Sequence, residues 1–139
     1  MQLAPVIARI DAQLPTLKLV TAAATVPLAI TALKVYPSAC VVMPRGSASG
    51  NNLLNGVSQQ VKDEFLVVLA CRNVTDMRGL AAMAEMDALR PLLNAALLNW
   101  VPAAAYDPIE YAGYQMVASQ DGLLFWADHF TSRHFVRSV

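Results

Sequence analysis

Apolar positions recur at helical spacing near the start of the chain. Residues 3–14 place apolar side chains three to four positions apart, and Pro15 follows them. This spacing predicts a short amphipathic helix that the proline ends. Residues 17–20 are β-prone enough to form a short strand, and the Ala-rich stretch 22–33 favours a helix after Pro27.

Residues 57–72 are predicted to form one long strand that changes character partway. From Phe65 onwards both parities are apolar, which is typical of a strand buried on both faces. Before Phe65 one parity is entirely polar: Ser58, Gln60, Lys62 and Glu64. We therefore expect this polar half to extend beyond the cover of its own domain and to form a contact surface.

A buried strand and a loop are predicted before the long strand. Residues 38–43 form a nearly continuous β-prone run. Residues 44–52 are rich in Gly, Ser and Asn, which predicts a flexible loop without core contacts.

A long helix is predicted to follow the long strand. Thr75 or Asp76 can cap it, and its apolar stripe continues to about Asn99. Pro91 must either kink this helix or start a second one. Among its methionines, Met77, Met83 and Met86 are expected to fill the core.

The last third of the chain predicts a β-hairpin. Residues 110–118 and 123–137 are β-prone, and Asp121-Gly122 between them favours a tight turn. The predicted fold class is therefore α+β. A mixed or mainly antiparallel sheet with this C-terminal β-hairpin packs against one long helix and a short N-terminal helix.

Composition indicates a domain with part of its surface covered by other subunits. At 139 residues, we expect a single domain over 1–139. The apolar share is 56% and the charged share is 14%, against roughly 25% charged in an average soluble protein. A surface with so few charges is either rich in Ala, Ser, Thr and Asn or partly hidden by other subunits, and we expect both.

Charge and hydropathy argue against nucleic-acid and membrane partners. The net charge is zero and no cluster of Lys or Arg occurs, so direct binding of DNA or RNA is not expected. The longest uncharged apolar stretch, 19–33, is shorter than the ~20 residues of a membrane-spanning helix. No signal peptide is recognisable, so we expect a soluble protein made in a cytoplasm. Cys40 and Cys71 are expected to be buried free thiols, although a bridge between adjacent strands is geometrically possible.

The residues most suggestive of chemistry lie in the last predicted strand. In a regular strand His129 and Arg133 share one face, whereas Asp128 and His134 share the other. The two histidines then cannot chelate one metal ion. The Gly-Ser loop at 46–50 has neither the nucleophile-elbow pattern nor the lysine of a phosphate-binding loop. We therefore expect no catalytic, cofactor-binding or metal-binding residues.

The C-terminal segments resemble a known family. Residues 96–102 read Ala-Leu-Leu-Asn-Trp-Val-Pro, residues 106–113 read Tyr-Asp-Pro-Ile-Glu-Tyr-Ala-Gly, and an aromatic-rich run over 124–130 precedes Thr-Ser-Arg. Together they resemble the tail terminator proteins of long-tailed bacteriophages and prophages. Asn99 stands where that family usually has Gly, but Asn can also adopt the left-handed helix-end conformation. Tyr114 departs from a frequent second Gly.

The resemblance implies a structural virion protein at the junction of tail and neck, assembled in the host bacterial cytoplasm. It implies a homo-oligomeric ring, commonly a hexamer, that caps the tail tube, stops its polymerisation and provides a docking surface for the head. The implied partners are further copies of the chain, the tail tube protein, and a neck or head-completion protein. Neither a cofactor nor catalysis is implied.

We expect the polar half of the long strand and the C-terminal hairpin to make the subunit contacts of this ring. The loop at 44–56 would reach the tube or a neighbouring subunit and become ordered on binding. The candidate interface residues are Arg45, Ser47, Ser49, Asn51, Asn52, Gln60, Lys62, Glu64, His129 and Arg133.

Two other functions stay open at the level of sequence. One is a different head–tail joining or tail-completion protein, since such proteins also form small α+β rings. The other is a small enzyme or ligand-binding domain that uses Asp128, His129 and Arg133.

Overall fold

The computed structural model describes residues 1–75 and 78–138, and in these ranges the chain forms three helices and five strands. The elements in chain order are α1 (Ala4–Gln13), β1 (Leu19–Ala23), α2 (Val26–Ala32), β2 (Ser38–Ala48), β3 (Val57–Arg72), α3 (Leu80–Leu97), β4 (Glu110–Gln120) and β5 (Leu123–Ser138). The predicted α+β class is confirmed. The predictions for Asp76 as a helix cap and Met77 as a core residue lie outside the described residues. Met86 is buried as predicted, but Met83 is 42% exposed, so its prediction as a core residue is wrong.

The strands form one mixed sheet in the order β1-β2-β3-β5-β4. Only β1 and β2 pair in parallel; the other neighbours are antiparallel. The central strand β3 pairs with β5 along its whole length, from Val57 opposite Ser138 to Arg72 opposite Leu123. The edge strand β4 follows β5 less regularly, because its register shifts between Tyr111 and Gly113 and again between Met116 and Ala118.

Helices cover the two faces of the sheet unequally. On one face, α1 and α3 enclose the larger core with Phe65, Val67 and Leu69 of β3. On the other face, α2 packs over a smaller core that includes Leu66 and Val68. This arrangement explains why both parities of β3 are apolar after residue 64.

The long helix α3 is shorter than predicted, and the predicted cap at Thr75 is wrong. The hydroxyl of Thr75 donates a hydrogen bond to Asn73 Oδ1 over 2.6 Å, in a turn before the helix. Gly79 then adopts a left-handed conformation with φ of 81°, and the helix begins at Leu80. Pro91 lies inside a single continuous helix, so no second helix starts there. Asn99 has a φ of 63°, the left-handed conformation expected of it.

Strand β2 extends further than predicted, into the first half of the segment assigned to a loop. The pairing of β2 with β3 shifts its register between Val42 and Arg45. Pairing with β3 then resumes, with Gly46 opposite Asp63. A Cβ at Gly46 would lie 2.9 Å from Asp63 Oδ1, so the glycine permits close approach here rather than a turn. The connecting loop is therefore 49–56.

The two cysteines are free and buried on opposite faces of the sheet, as members of different core clusters. Because they lie on opposite faces, they cannot form a disulfide bond with each other. Burial raises the pKa of the Cys40 thiol to about 11 and that of the Cys71 thiol, which also lies near Glu85, to about 12. Both thiols are therefore protonated at neutral pH.

The turn between β4 and β5 requires glycine at its second position. Asp121 and Gly122 have φ of 51° and 78°, as in the tight turn that Asp-Gly predicts. A Cβ at Gly122 would lie 2.4 Å from the carbonyl oxygen of Asn73.

We expect Gly122→Ala to lower the free energy of unfolding by at least about 2 kcal/mol, because a left-handed alanine alone costs about 1–2 kcal/mol and the Asn73 carbonyl must also move. Urea unfolding measures the change. The control is Gly50→Ala, where the added Cβ meets nothing within 4 Å, so its effect should stay within about 0.5 kcal/mol. Equal stability of the two variants would contradict this account.

Candidate protein interface

Most of the predicted interface residues lie together on one face of the sheet, beyond the area that α2 covers. Cross-strand register places Arg45 beside Glu64, Ser47 beside Lys62, and Lys62 beside Arg133. We call this surface the open face; it comprises Arg45, Ser47, Ser58, Gln60, Lys62, Glu64, Glu110, His129, Arg133, Phe135 and Arg137. None of these residues is fully buried.

The open face carries more positive than negative charge. Arg45 Nε lies 3.0 Å from Glu64 Oε2, and Arg133 Nη1 lies 3.1 Å from Glu110 Oε1. Lys62 stands directly opposite Arg133 and has no acidic partner among the residues that the structure describes. Like charges placed opposite each other destabilise a sheet, so this arrangement favours an acidic partner surface.

The remaining predicted interface residues organise the loop 49–56 beside the open face. Ser49 Oγ accepts a hydrogen bond from the Gln60 backbone N–H over 3.0 Å. Asn51 Oδ1 accepts from the backbone N–H groups of Leu53 and Ser58. These bonds give the loop a defined shape, although its residues pack against no core. Asn52, also predicted at the interface, is exposed in this loop.

At its tip the loop presents an apolar side chain that sequence reasoning missed. Leu54 is 100% exposed, and Leu53 beside it is 49% exposed. Covering a fully exposed leucine would be favourable, because burial removes its apolar surface from water. The sequence signal was two adjacent leucines inside an otherwise polar loop.

A buried ion pair on the helix-covered face was also missed. Asp128 is 0% exposed, and its carboxylate accepts hydrogen bonds from Arg90 Nε at 3.2 Å, Arg90 Nη2 at 3.0 Å and the Tyr111 hydroxyl at 2.8 Å. The guanidinium also lies about 4.5 Å from the ring centres of Tyr114 and Trp126. Although Arg90 belongs to a helix with an exposed outer face, its guanidinium is therefore held by a buried carboxylate and is not a freely solvated charge.

The pKa values in this cluster follow from burial and from the carboxylate. Burial by itself would lower the pKa of Arg90, but its hydrogen bonds with Asp128 and the charge of that group raise it overall. Burial, with the bond to Asp128, raises the pKa of Tyr111. Arg90 and Asp128 thus form a fixed charge pair that joins α3 to β5.

The two histidines lie on opposite faces of the sheet, as parity predicted. His129 belongs to the open face, opposite Leu66. His134 lies on the other face, with its ring centre 4.5 Å from that of Tyr106 and its Nδ1 3.4 Å from Asp63 Oδ2. Within residues 1–75 and 78–138, no three His, Cys, Asp or Glu residues are grouped closely enough to hold a metal ion.

Comparison with known protein families gives a match over nearly the whole chain. A family model described as phage tail terminator protein matches residues 1–138. No curated protein matches the chain. In the described parts of the chain, no helix combines the length and apolar character needed to cross a membrane.

Proposed function

This chain belongs to the phage tail terminator family, and on that premise we propose that it caps the end of the tail tube. In this role it stops tube polymerisation and offers a docking surface to the neck of the head. It acts as a homo-oligomeric ring, with the hexamer as the expected form, at the tail–neck junction of the virion.

Family membership carries the proposal. The match covers all but the last residue of the chain, so it concerns the whole fold and not one motif. It assigns a structural role in completing the phage tail. The finer role is supported by the exposed polar surface of the sheet and by a composition with only 14% charged residues, both of which suit a subunit that is covered in an assembly.

We assign the loop 49–56 to the tail tube. The loop lies at the end of β3 that neither of the two helix-covered cores reaches. It carries no charged side chain. Leu54 at its tip is the most exposed large apolar residue in the described chain. Insertion of this side chain into a groove of the last tube ring would anchor the terminator.

Tube growth in vitro tests the capping role. The tube protein of the same phage is polymerised alone and with increasing amounts of this protein, and tube lengths are measured by electron microscopy. Capping predicts that growth stops at an amount equivalent to the number of tube ends, with an added ring visible at one end. Unchanged lengths, with no ring at the ends, would contradict the proposal.

A single substitution tests the loop. Leu54→Asp should leave the fold intact, because surface substitutions away from special features change stability by only about 0.5 kcal/mol. Burial of one leucine contributes about 1.5–3 kcal/mol, so binding to tube ends should weaken at least about tenfold. The control is Leu28→Asp on α2, where the leucine is 54% exposed; it should still cap tubes. Normal capping by Leu54→Asp would remove the loop from the interface.

A further inference from the structure

We propose that the open face of one subunit packs against the outer face of α3 in the next copy. This inference rests on the ring proposed above and names the two surfaces that close it. The observations that carry it are an uncovered helix face, opposite charge on the two surfaces, and their position on opposite sides of one sheet.

The outer face of α3 is unusually apolar for an exposed helix. Its centre is flat, because it consists of three alanines and Pro91. At its edges Leu80 is 50%, Met83 42% and Leu92 51% exposed. The residues of this outer face are Leu80, Met83, Ala84, Glu85, Asp87, Ala88, Pro91, Leu92 and Ala95. A flat apolar helix face of this kind allows the backbone of a partner to approach closely.

The charges on the outer face of α3 are all negative. Glu85 and Asp87 are its charged residues, and both are exposed. The nearby arginine of the helix, Arg90, is directed to Asp128 instead. On α1, which packs beside α3, Asp11 is also exposed. The outer face of α3 therefore presents acidic groups at the edges of an apolar centre, whereas the cation of α1, Arg9, is held by the Ala96 carbonyl oxygen at 2.9 Å and by the Trp100 ring.

The open face carries the complementary charge. Its cations are Arg45, Lys62, Arg133 and Arg137, against two acids, Glu64 and Glu110. Lys62 and Arg137 have no carboxylate partner among the described residues, and Arg137 instead lies 4.6 Å from the ring centre of Phe135. Phe135 is 50% exposed and gives this face an apolar contact of its own. An acidic surface with an apolar centre, as on α3, matches these features.

The position of the two surfaces determines the type of assembly. The open face and α3 lie on opposite sides of the sheet. A copy that offers its helix layer to the open face of its neighbour leaves its own open face available for a third copy. Such contacts are heterologous, and they close into a ring when the rotation between copies divides a full turn.

Two charge-reversed proteins test this pairing. The first carries Lys62→Glu with Arg137→Glu, so that both of its surfaces are acidic. The second carries Glu85→Lys with Asp87→Lys, so that both are basic. Each protein alone should associate at least tenfold more weakly than the parent chain, because like charges meet. An equal mixture should recover the ring, since every contact then joins an acidic to a basic surface.

The measurements are native mass and sedimentation, with thermal unfolding to show that each variant is folded. Lys18→Glu with Lys34→Glu is the control, because it changes net charge as much as the first variant but lies outside both surfaces; it should form the ring alone. If the parent chain forms rings and the charge-reversed proteins also do so separately, or the mixture does not, the pairing is wrong while the proposed function stands. A parent chain that stays monomeric even beside tube ends would overturn both.

Discussion

Replacement of Arg90 by alanine should destabilise the fold more than any surface substitution in this protein. The expected loss is about 3–5 kcal/mol, because the change leaves the carboxylate of Asp128 buried without its cation. Asp128 is fully enclosed, and the Tyr111 hydroxyl at 2.8 Å would be its remaining side-chain donor. Denaturant unfolding followed by circular dichroism measures the loss.

An exposed ion pair provides the matched control for Arg90. Arg45 is 70% exposed and its pair with Glu64 lies in solvent, so Arg45→Ala should change stability by at most about 1 kcal/mol. The joint replacement of Arg90 by Met and Asp128 by Leu should recover most of the loss, because it removes both charges together. A small effect of Arg90→Ala, similar to that of Arg45→Ala, would show that Asp128 is not held by this pair.

Replacement of Phe130 by alanine is the second substitution with a large expected effect. Phe130 is 0% exposed, and its ring centre lies 5.5 Å from that of Phe65 and 5.6 Å from that of Tyr111. The loss of a buried phenylalanine side chain and the cavity left behind cost about 3–5 kcal/mol. The midpoint of urea unfolding should fall accordingly, with little change in the slope of the transition.

Phe135 in the same strand is the control for Phe130. It is 50% exposed on the open face, so Phe135→Ala should cost about 1 kcal/mol or less in the isolated subunit. The same variant should weaken the proposed ring, because the open face loses its apolar contact. If Phe135→Ala destabilised the isolated subunit as much as Phe130→Ala, the end of β5 would belong to the core instead of an interface.

Hydrophobic periodicity predicted much of the fold, because most helices and strands bury side chains that recur at regular spacing. The change in β3 at Phe65 was visible in the sequence, and it marks the place where the sheet becomes covered on both faces. The extent of β2 was not predictable in this way. Pro and Gly are strong loop signals, and only the tertiary context shows that Gly46 lies in a paired strand opposite Asp63.

The candidate interface was predictable where it depends only on which face of a strand a residue occupies. Alternation placed Lys62 on the polar side of β3 and, separately, Arg133 on the same side of β5 as His129, and the register of the two strands shows that Lys62 and Arg133 are neighbours. The pair of Arg90 and Asp128 depends instead on how α3 crosses β5. A weak signal existed, since Arg90 lies four residues after the buried Met86 and three before the buried Leu93. A charged residue at such a position on the helix indicates a buried partner, but the sequence does not identify that partner.

The two register shifts in β4 have a consequence for the chain before it is incorporated into a particle. β4 is a long edge strand, and its outer side offers backbone donors and acceptors to any passing strand. The shifts after Tyr111 and after Met116 interrupt that row, leaving a short regular stretch between them. Bulged edges of this kind oppose strand addition and fibril growth. The free chain is therefore protected against aggregation through this edge.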